Sequence, residues 1–264
     1  EPYRRQRQMC IRDSFIGDVV GKSGCDFLAQ KLHKIKKDYS IDVTVVNGEN
    51  SANGNGITKH SAQSILNCGA DIITTGNHAF KRREAMEIYD NDVILRPYNY
   101  PEGCIGKGIC TLDMGLCKIA VINMSGTVYL DPLDNPFTAM DRILPQLDTP
   151  NIFVDFHAEA TAEKKAMGHY LTGKVTAVMG THTHVQTADE TILGEHTAYI
   201  TDAGMTGPEN SVLGVAVKPA VDRMRFRFPV RFTEAEGSCI LNGVVINFDQ
   251  KTGKSNKIER IIIR

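Results

Sequence analysis

Short apolar segments alternate with amphipathic helical patterns through most of this chain, and this alternation is the feature that most limits its fold. Such spacing is typical of an α/β domain built around a sheet. No repeat or linker interrupts the pattern in the 264 residues, so we predict one domain over residues 15–264. The predicted strands are 15–16, 43–46, 71–74, 119–123, 152–155, 176–179, 198–201, 241–248 and 258–263, and the predicted helices lie near 26–37, 58–67, 80–89, 137–147 and 162–171.

Two connecting segments have the composition of irregular structure. Residues 96–116 are rich in glycine and proline, which favours a surface loop, and residues 249–256 have the composition of a hairpin turn. We expect both to lie outside the core.

The first fourteen residues, EPYRRQRQMCIRDS, do not fit the pattern that follows them. A buried first strand should be a nearly continuous apolar run, yet Arg12, Asp13 and Ser14 occupy the place where that strand should begin. The stretch resembles translated adapter sequence. We therefore predict that residues 1–14 are a non-native extension that contributes little to the core.

Charge and cysteine content narrow the functional classes. Thirty basic and thirty-one acidic residues give a formal net charge of −1, whereas a protein that coats nucleic acid carries a basic excess. We expect no stable nucleic-acid binding, although this net charge is compatible with binding of a small phosphorylated ligand.

The seven cysteines are scattered and form no Cys-x-x-Cys pair, which favours reduced thiols in the cytoplasm. No apolar run approaches the ~20 residues of a membrane helix, so we expect no membrane association.

Polar residues with metal-binding side chains recur just after the predicted strands. In open α/β sheets, ligands bind outside the carboxyl ends of the strands. Five strands would therefore deliver side chains to one place, with nearby glycines allowing sharp turns. The residues concerned are Asp18, Glu49, Asn50, Asn77, His78, His157, His182 and His184.

Each of these residues has a simpler explanation when taken alone. Asp18 has the position of a helix N-cap, Asn50 of a turn former, and His157 of a hydrogen-bonded core histidine. His182 and His184 are harder to explain away, because alternate positions on an extended segment point to the same side. The set as a whole predicts a shared site more strongly than any single member does.

The types of side chain indicate the kind of metal. Cysteine is absent from these positions, which disfavours structural zinc. Carboxylate, carboxamide and imidazole ligands suit Mn²⁺, Fe²⁺ or Fe³⁺. Seven ligands, which are the residues above without His78, are too many for one open catalytic ion but suit two ions that share a bridging carboxylate.

The motif order resembles that of calcineurin-like metallophosphoesterases, and the variants resemble the YmdB-like bacterial branch from about Phe15 onward. Two departures from the superfamily are shared with that branch: no histidine stands two residues after Asp18, and Glu49-Asn50 replaces the usual second aspartate motif. A third is particular to this chain, which has Phe80-Lys81 where the branch has Trp-Asp. The motifs are Gly17-Asp18, Asn47-Gly48-Glu49-Asn50, Gly76-Asn77-His78, His157 and Gly180-Thr181-His182-Thr183-His184.

The resemblance implies a role for each motif residue. Asp18, Asn50 and His184 would bind one metal, and Asn77, His157 and His182 the other. Glu49 would bridge the two ions, and His78 would donate a proton to the leaving oxygen.

The resemblance also implies a fold, a reaction and an assembly. The fold would be a four-layer α/β/β/α sandwich with two mixed sheets. The reaction would be hydrolysis of cyclic nucleotides, notably 2′,3′-cyclic ones, by in-line attack of a water activated by two ions, which we expect to be iron or manganese. The protein would form a homo-oligomer.

The sequence is also compatible with two other functions, and it suggests one further segment for substrate contact. The same metal pair supports a phosphomonoesterase or phosphoprotein phosphatase, and the scaffold also suits a regulator that senses a nucleotide without turning it over. The complete set of ligands and acid favours an enzyme. The next candidates for substrate contact lie in a glycine-rich segment that turn formation alone also explains: Thr201, Asp202, Gly204 and Thr206.

Overall fold

The computed structural model describes residues 10–264, which fold into strands and helices that alternate along the chain. The strands are β1 (Cys10–Ile16), β2 (Asp18–Val19), β3 (Val43–Asn47), β4 (Ile72–Thr74), β5 (Ile109–Asp113), β6 (Lys118–Ser125), β7 (Ile152–His157), β8 (Ala177–Thr181), β9 (Thr191–Leu193), β10 (Thr197–Ile200), β11 (Met205–Pro208), β12 (Cys239–Asp249) and β13 (Ser255–Ile263). The α-helices are α1 (Gly21–Tyr39), α2 (Lys59–Asn67), α3 (Pro136–Ile143), α4 (Thr161–Tyr170) and α5 (Val217–Phe226), and 3₁₀ helices cover Arg83–Asp90 and Leu144–Gln146.

The strands form two mixed sheets. The first has seven strands in the order β2-β11-β12-β1-β3-β4, with β13 also paired to β12. The second has six strands in the order β5-β6-β7-β8-β10-β9. In each sheet the central parallel strands run side by side, β1 with β3 and β4, and β6 with β7 and β8. Their carboxyl ends therefore lie together within each sheet.

Three apolar clusters show how the layers stack. One lies between the first sheet and the helices α1 and α2, and it includes Ile16, Leu28 and Ile65. A second lies between the two sheets and includes Phe15 and Phe153. The third lies between the second sheet and the helices α3 and α4. The predicted α/β/β/α sandwich with two mixed sheets is confirmed.

Secondary structure follows the predictions closely but not everywhere. All nine predicted strands are present, and the hairpin turn joins β12 to β13. The helix predicted at 80–89 is instead a 3₁₀ helix at Arg83–Asp90. The surface loop predicted at 96–116 is wrong in part, because it contains strand β5 and the buried residues Arg96 and Asn99. Strands β2, β9 and β11 and helix α5 were not predicted.

The first strand is longer than predicted. Residues 1–9 of the expected extension lie outside the described residues, whereas residues 10–14 form the first part of β1. Asp13 pairs with Val43 of β3 and Ile246 of β12, and it is only 1% exposed. Neither of its carboxylate oxygens has a hydrogen-bond partner among the described residues. Residues 10–14 are thus part of the first sheet, and their identity as adapter sequence stays a prediction.

Within residues 10–264, none of the helices combines the length and apolar character that crossing a membrane requires.

Candidate active site

The eight residues singled out at strand ends lie in one cluster where the two sheets meet. The first sheet supplies Asp18 at the start of β2, Glu49 and Asn50 after β3, and the pair that follows β4. The second sheet supplies His157 at the end of β7 and two histidines after β8. The members are Asp18, Glu49, Asn50, Asn77, His78, His157, His182 and His184, and each of them contacts at least one other member.

Asn50 connects one half of the cluster. Its Nδ2 lies 3.3 Å from Asp18 Oδ1, 3.2 Å from Glu49 Oε1 and 3.2 Å from His184 Nε2. The Oδ1 at the other end of the amide lies 2.8 Å from His78 Nδ1. The backbone N–H of His78 also donates to Glu49 Oε2 at 3.0 Å. The buried Asn50 amide and the backbone of His78 therefore both join the proposed proton donor to the rest of the cluster.

His157 is the centre of the other half. Its Nε2 lies 2.9 Å from Asn77 Oδ1, 3.0 Å from His182 Nδ1 and 3.2 Å from Glu49 Oε1. Ligand atoms of Glu49, His157 and His182 all lie within 4.8 Å of one another, a spacing that suits a metal ion. Gly76 makes this packing possible, because a Cβ there would lie 2.2 Å from the His157 ring.

Outer hydrogen bonds set which nitrogen of each histidine faces the cluster. Thr181 Oγ1 donates to Asp155 at 2.7 Å, so it accepts from His157 Nδ1 at 2.9 Å, leaving Nε2 as the inward nitrogen. His182 turns Nε2 to the Glu159 carboxylate at 2.9 Å, which leaves Nδ1 facing inward. His184 donates from Nδ1 to a backbone carbonyl, Leu213 O, at 3.1 Å. Partners of this kind fix the tautomer and orientation of metal-binding imidazoles.

The loop after β8 holds its two histidines by a strained backbone. His182 and His184 have positive φ values of 101° and 63°, a conformation that costs non-glycine residues about 1–3 kcal/mol. The prediction that they share a side because they lie on an extended segment was therefore wrong in its reason, since β8 ends at Thr181. Both side chains nevertheless enter the cluster.

A buried ion pair stabilises this loop from behind. Asp202 Oδ2 accepts from Lys164 Nζ at 2.7 Å, from Thr183 N at 3.0 Å and from Thr183 Oγ1 at 2.8 Å. Lys164 and Asp202 side chains are 1% and 0% exposed. Because Thr183 lies between the two histidines, this pair fixes the turn that presents them.

Two buried carboxylates and the histidines beside them set the electrostatics of the cluster. Burial works to raise the pKa of Asp18, but the charge and hydrogen bond of His184 outweigh it and lower that pKa. Burial also works to raise the pKa of Glu49, but the charge and hydrogen bond of His157 outweigh it and lower that pKa. Burial would lower the pKa of His157, yet Glu49 and then Asp18 raise it to about 9. The carboxylates are ionised and attract positive charge to the inward nitrogens.

A cleft of about 570 Å³ opens beside His78. Burial lowers the pKa of His78, and the neighbouring Lys81 acts in the same direction. Lys81 lines the cleft, whereas Phe80 packs behind it against Tyr89 and Tyr100, with ring centroids 5.2 and 5.3 Å away. Of the Phe80-Lys81 pair, only the positive charge of Lys81 reaches the cleft.

The segment proposed for substrate contact is not on the cleft surface. Thr201 is 5% exposed, and Asp202 and Thr206 are fully buried. Asp202 supports the histidine loop, while Gly204 and Thr206 belong to the turn and strand that pair with β2 and β12. Burial of these side chains argues against the expected contact with substrate and gives the segment a supporting role.

Sequence reasoning did not assign the supporting residues. Asp155, Glu159, Lys164 and Thr181 lie within or next to the recognised motifs, but their roles depend on partners far away in the chain. The only sequence signal is their position within a few residues of a predicted ligand.

Comparison with known proteins gives consistent similarities. The model of the YmdB-like protein family matches residues 14–261. The chain is 48% identical over 257 residues to the 2′,3′-cyclic-nucleotide 2′-phosphodiesterase of Bacillus subtilis (strain 168), covering 96% of this chain and 97% of that protein.

Two solved structures also resemble the chain. One is described as a hypothetical protein from Thermus thermophilus, with a TM-score of 0.91 and 36% identity, and covers 96% of this chain and 99% of that one. The other is described as a novel phosphatase of Mycoplasma pneumoniae, with a TM-score of 0.92 and 33% identity, and covers 97% of this chain and 94% of that one.

Proposed function

This chain belongs to the YmdB-like protein family, and on that premise we propose that it hydrolyses 2′,3′-cyclic nucleotides at the cluster described above. It is a metal-dependent phosphoric diester hydrolase. In our proposal Asp18, Asn50 and His184 hold one ion and Asn77, His157 and His182 the other. Glu49 bridges the two, and His78 donates the proton to the leaving oxygen.

The observation that carries the metal assignment is a meeting of atoms that can each offer a lone pair to a cation. The outer hydrogen bonds of His157 and His182 each use one ring nitrogen, so the inward nitrogen of each ring is the one that would bind an ion. One of these, His157 Nε2, lies 2.9 Å from Asn77 Oδ1, 3.0 Å from His182 Nδ1 and 3.2 Å from Glu49 Oε1. So close a set of electron-rich atoms is stabilised by positive charge, which a metal ion would supply. The donor set therefore fits a metal.

The ligand chemistry supports iron or manganese. Oxygen and imidazole ligands without thiolate are those preferred by Mn²⁺, Fe²⁺ and Fe³⁺. When bound, two such ions activate the attacking water and neutralise charge on the phosphoryl oxygens. Metal analysis of the purified protein tests this part, and a stoichiometry near two Fe or Mn per chain is the expected result.

His78 and Asn50 act together in the proton transfer. His78 presents Nδ1 to Asn50, so Nε2 is the ring nitrogen left for a ligand in the cleft. A half-turn of the Asn50 amide exchanges its oxygen and nitrogen. After this rotation the Asn50 oxygen faces the other ligands, and the Asn50 amide N–H donates to His78 Nδ1. The single proton of a neutral His78 then lies on Nε2.

The test compares leaving groups. General acid catalysis contributes about 10²–10⁴-fold, and it matters most for a poor leaving group such as a ribose alkoxide. His78→Ala should keep both metals and lose far more turnover on 2′,3′-cyclic AMP than on bis-p-nitrophenyl phosphate, whose phenolate leaves without a proton. His33→Ala, an exposed change on α1, is the matched control.

Other outcomes would point elsewhere. Equal loss on the two diesters would assign His78 to substrate binding, and loss of metal would make it a ligand. Faster hydrolysis of p-nitrophenyl phosphate than of either diester by the unchanged protein would favour the phosphomonoesterase. No turnover of any of the three by the metal-loaded protein would favour a non-enzymatic regulator.

We propose a homo-oligomer on the evidence of helix α5. Val217, Val221 and Met224 are 46%, 49% and 68% exposed, and their spacing places them along one face of the helix. Exposed apolar patches of this kind mark contact surfaces. Light scattering should give more than one subunit for the unchanged protein and a smaller mass for Met224→Glu.

Two broader parts of the proposal concern the chain as a whole. Residues 15–264 form one domain, since a single apolar cluster joins the two sheets. The cytoplasm is the proposed location, because the cysteines of the described residues from Cys25 onward are free thiols. Rapid alkylation in cells followed by mass spectrometry should find these thiols unoxidised.

A further inference from the structure

The cleft beside His78 has two chemically different kinds of lining residue. His78 and Lys81 give it positive or proton-donating groups, while Leu213, Val215 and Phe232 give it apolar surface. A volume of about 570 Å³ lies within the range of small-ligand sites, which combine apolar walls with a few placed polar groups. The volume and the lining residues suit an anion attached to a flat apolar body.

Two of the charged groups in the wall already have partners. Arg82 donates from Nε to Asn55 O and from Nη2 to Ala52 O, each at 2.8 Å. Glu234 accepts from the backbone N–H groups of Lys22 and Ser23 at the start of α1, at 3.2 and 2.9 Å. These contacts hold the walls in place, and they leave Lys81 as the wall cation without a carboxylate partner within 4 Å among the described residues.

Phe232 is the aromatic side chain of the cleft wall, and it is 51% exposed. A half-exposed ring leaves apolar surface in water, which a stacked ligand would cover. Every nucleobase offers a π-face, and stacking on an aromatic side chain contributes about 1–3 kcal/mol. Asn53 and Asn55 line the same cleft and add two amide side chains to its lining.

We propose that this cleft is a nucleoside subsite, in which Phe232 stacks on the base of the substrate and Lys81 attracts its phosphate towards His78. The inference rests on the proposed phosphodiesterase function and names the part of the substrate that the metal cluster does not contact. It makes the base, and not the phosphodiester alone, a determinant of substrate choice.

The test compares 2′,3′-cyclic AMP with ribose 2′,3′-cyclic phosphate, which has the same reacting group and no base. Phe232→Ala should raise KM for 2′,3′-cyclic AMP about tenfold with kcat nearly unchanged, and should leave the base-free substrate unaffected. Phe232→Tyr should retain the low KM, because it keeps the ring. Phe228→Ala is the matched control, since Phe228 is also 51% exposed but does not line the cleft.

Lys81→Met should raise KM for both cyclic substrates, since both have the phosphate. An equal effect of Phe232→Ala on the two substrates, or no effect on either, would overturn the subsite. If the unchanged protein hydrolyses neither substrate, the proposed phosphodiesterase function is refuted instead. Metal content and melting temperature, measured for each variant, separate loss of binding from loss of structure.

Discussion

Asp13 is expected to be a destabilising residue whose replacement strengthens the fold. It lies in β1 two residues before Phe15, on the same face, and its partners Val43 and Ile246 both belong to the cluster between the sheets. It is 1% exposed and neither oxygen has a hydrogen-bond partner among residues 10–264. Burial raises the pKa of this carboxyl well above its usual value, the nearby Asp71 and Asp42 raise it further, and Lys36 opposes them.

The magnitude follows from these features. A buried polar group without a partner costs about 1–3 kcal/mol in proteins, and each added buried methylene contributes about 0.8 kcal/mol. Asp13→Val should therefore raise the free energy of unfolding by about 2–4 kcal/mol near pH 7. Asp13→Asn, which removes the charge but keeps the polarity and shape, should give a smaller gain.

The pH dependence separates the effect of the charge from that of packing. Because the folded protein holds the Asp13 proton more tightly than the unfolded chain, stability falls as pH rises from about 4 through the folded-state pKa. The gain from either substitution should therefore be larger at about pH 7.5 than at about pH 4.5. Urea unfolding followed by far-ultraviolet circular dichroism is the assay, since the chain has no tryptophan. Destabilisation by Asp13→Val, or equal gains at both pH values, would refute the reasoning.

Three further predictions concern the metal cluster and its support. Asp202→Asn should lower the free energy of unfolding by about 3–5 kcal/mol, because it leaves the Lys164 ammonium buried without its partner, and it should reduce metal content. Lys164→Met combined with Asp202→Asn should recover part of the stability. The absence of any recovery would count against the ion pair. Glu49→Gln should remove more activity and more metal than Asn50→Ala, since a bridging carboxylate neutralises both ions; full metal content with normal turnover in Glu49→Gln would contradict the bridge. Removing metal with a chelator should lower the melting temperature, as any ligand that binds only the folded state stabilises it; an unchanged melting temperature in calorimetry would argue against metal binding at this cluster.

The long central strands were predictable because both of their faces are buried. β7 and β8 have every residue buried, so their apolar runs stand out in the sequence. The missed strands lack that signal: β2 has two residues, and β11 contains glycine and proline. Helix α5 was missed because Pro219 interrupts a pattern whose apolar side chains face outward. An element is therefore visible in the sequence where its buried positions form a run of apolar residues, and β2 and β11, although buried, have no such run.

The cluster itself was predictable because strand ends converge in any open α/β sheet. The supporting contacts were not, because they join residues distant in the chain. Lys164 and Asp202 are 38 residues apart, and His184 contacts Leu213 29 residues away. The orientation of His182 and His184 depends on their positive φ values. A glycine in the sequence would have suggested such a conformation, but a histidine does not. Asp13 shows the opposite case: sequence reasoning recognised it as unsuited to a buried strand, yet β1 continues through it.

The central place of β12 in the first sheet has a consequence for the order of folding during synthesis. All six strands of the second sheet come from residues 109–200, so that sheet is complete once this stretch has left the ribosome. The first sheet is not, because β1 lies between β3 and β12, and β12 begins only at Cys239. Since chains emerge amino end first, β1 waits with one edge unpaired while more than two hundred residues are added. We expect nascent chains stopped before Cys239 to bind chaperones that recognise exposed strand edges, and chains that extend beyond Ile263 to be released from them.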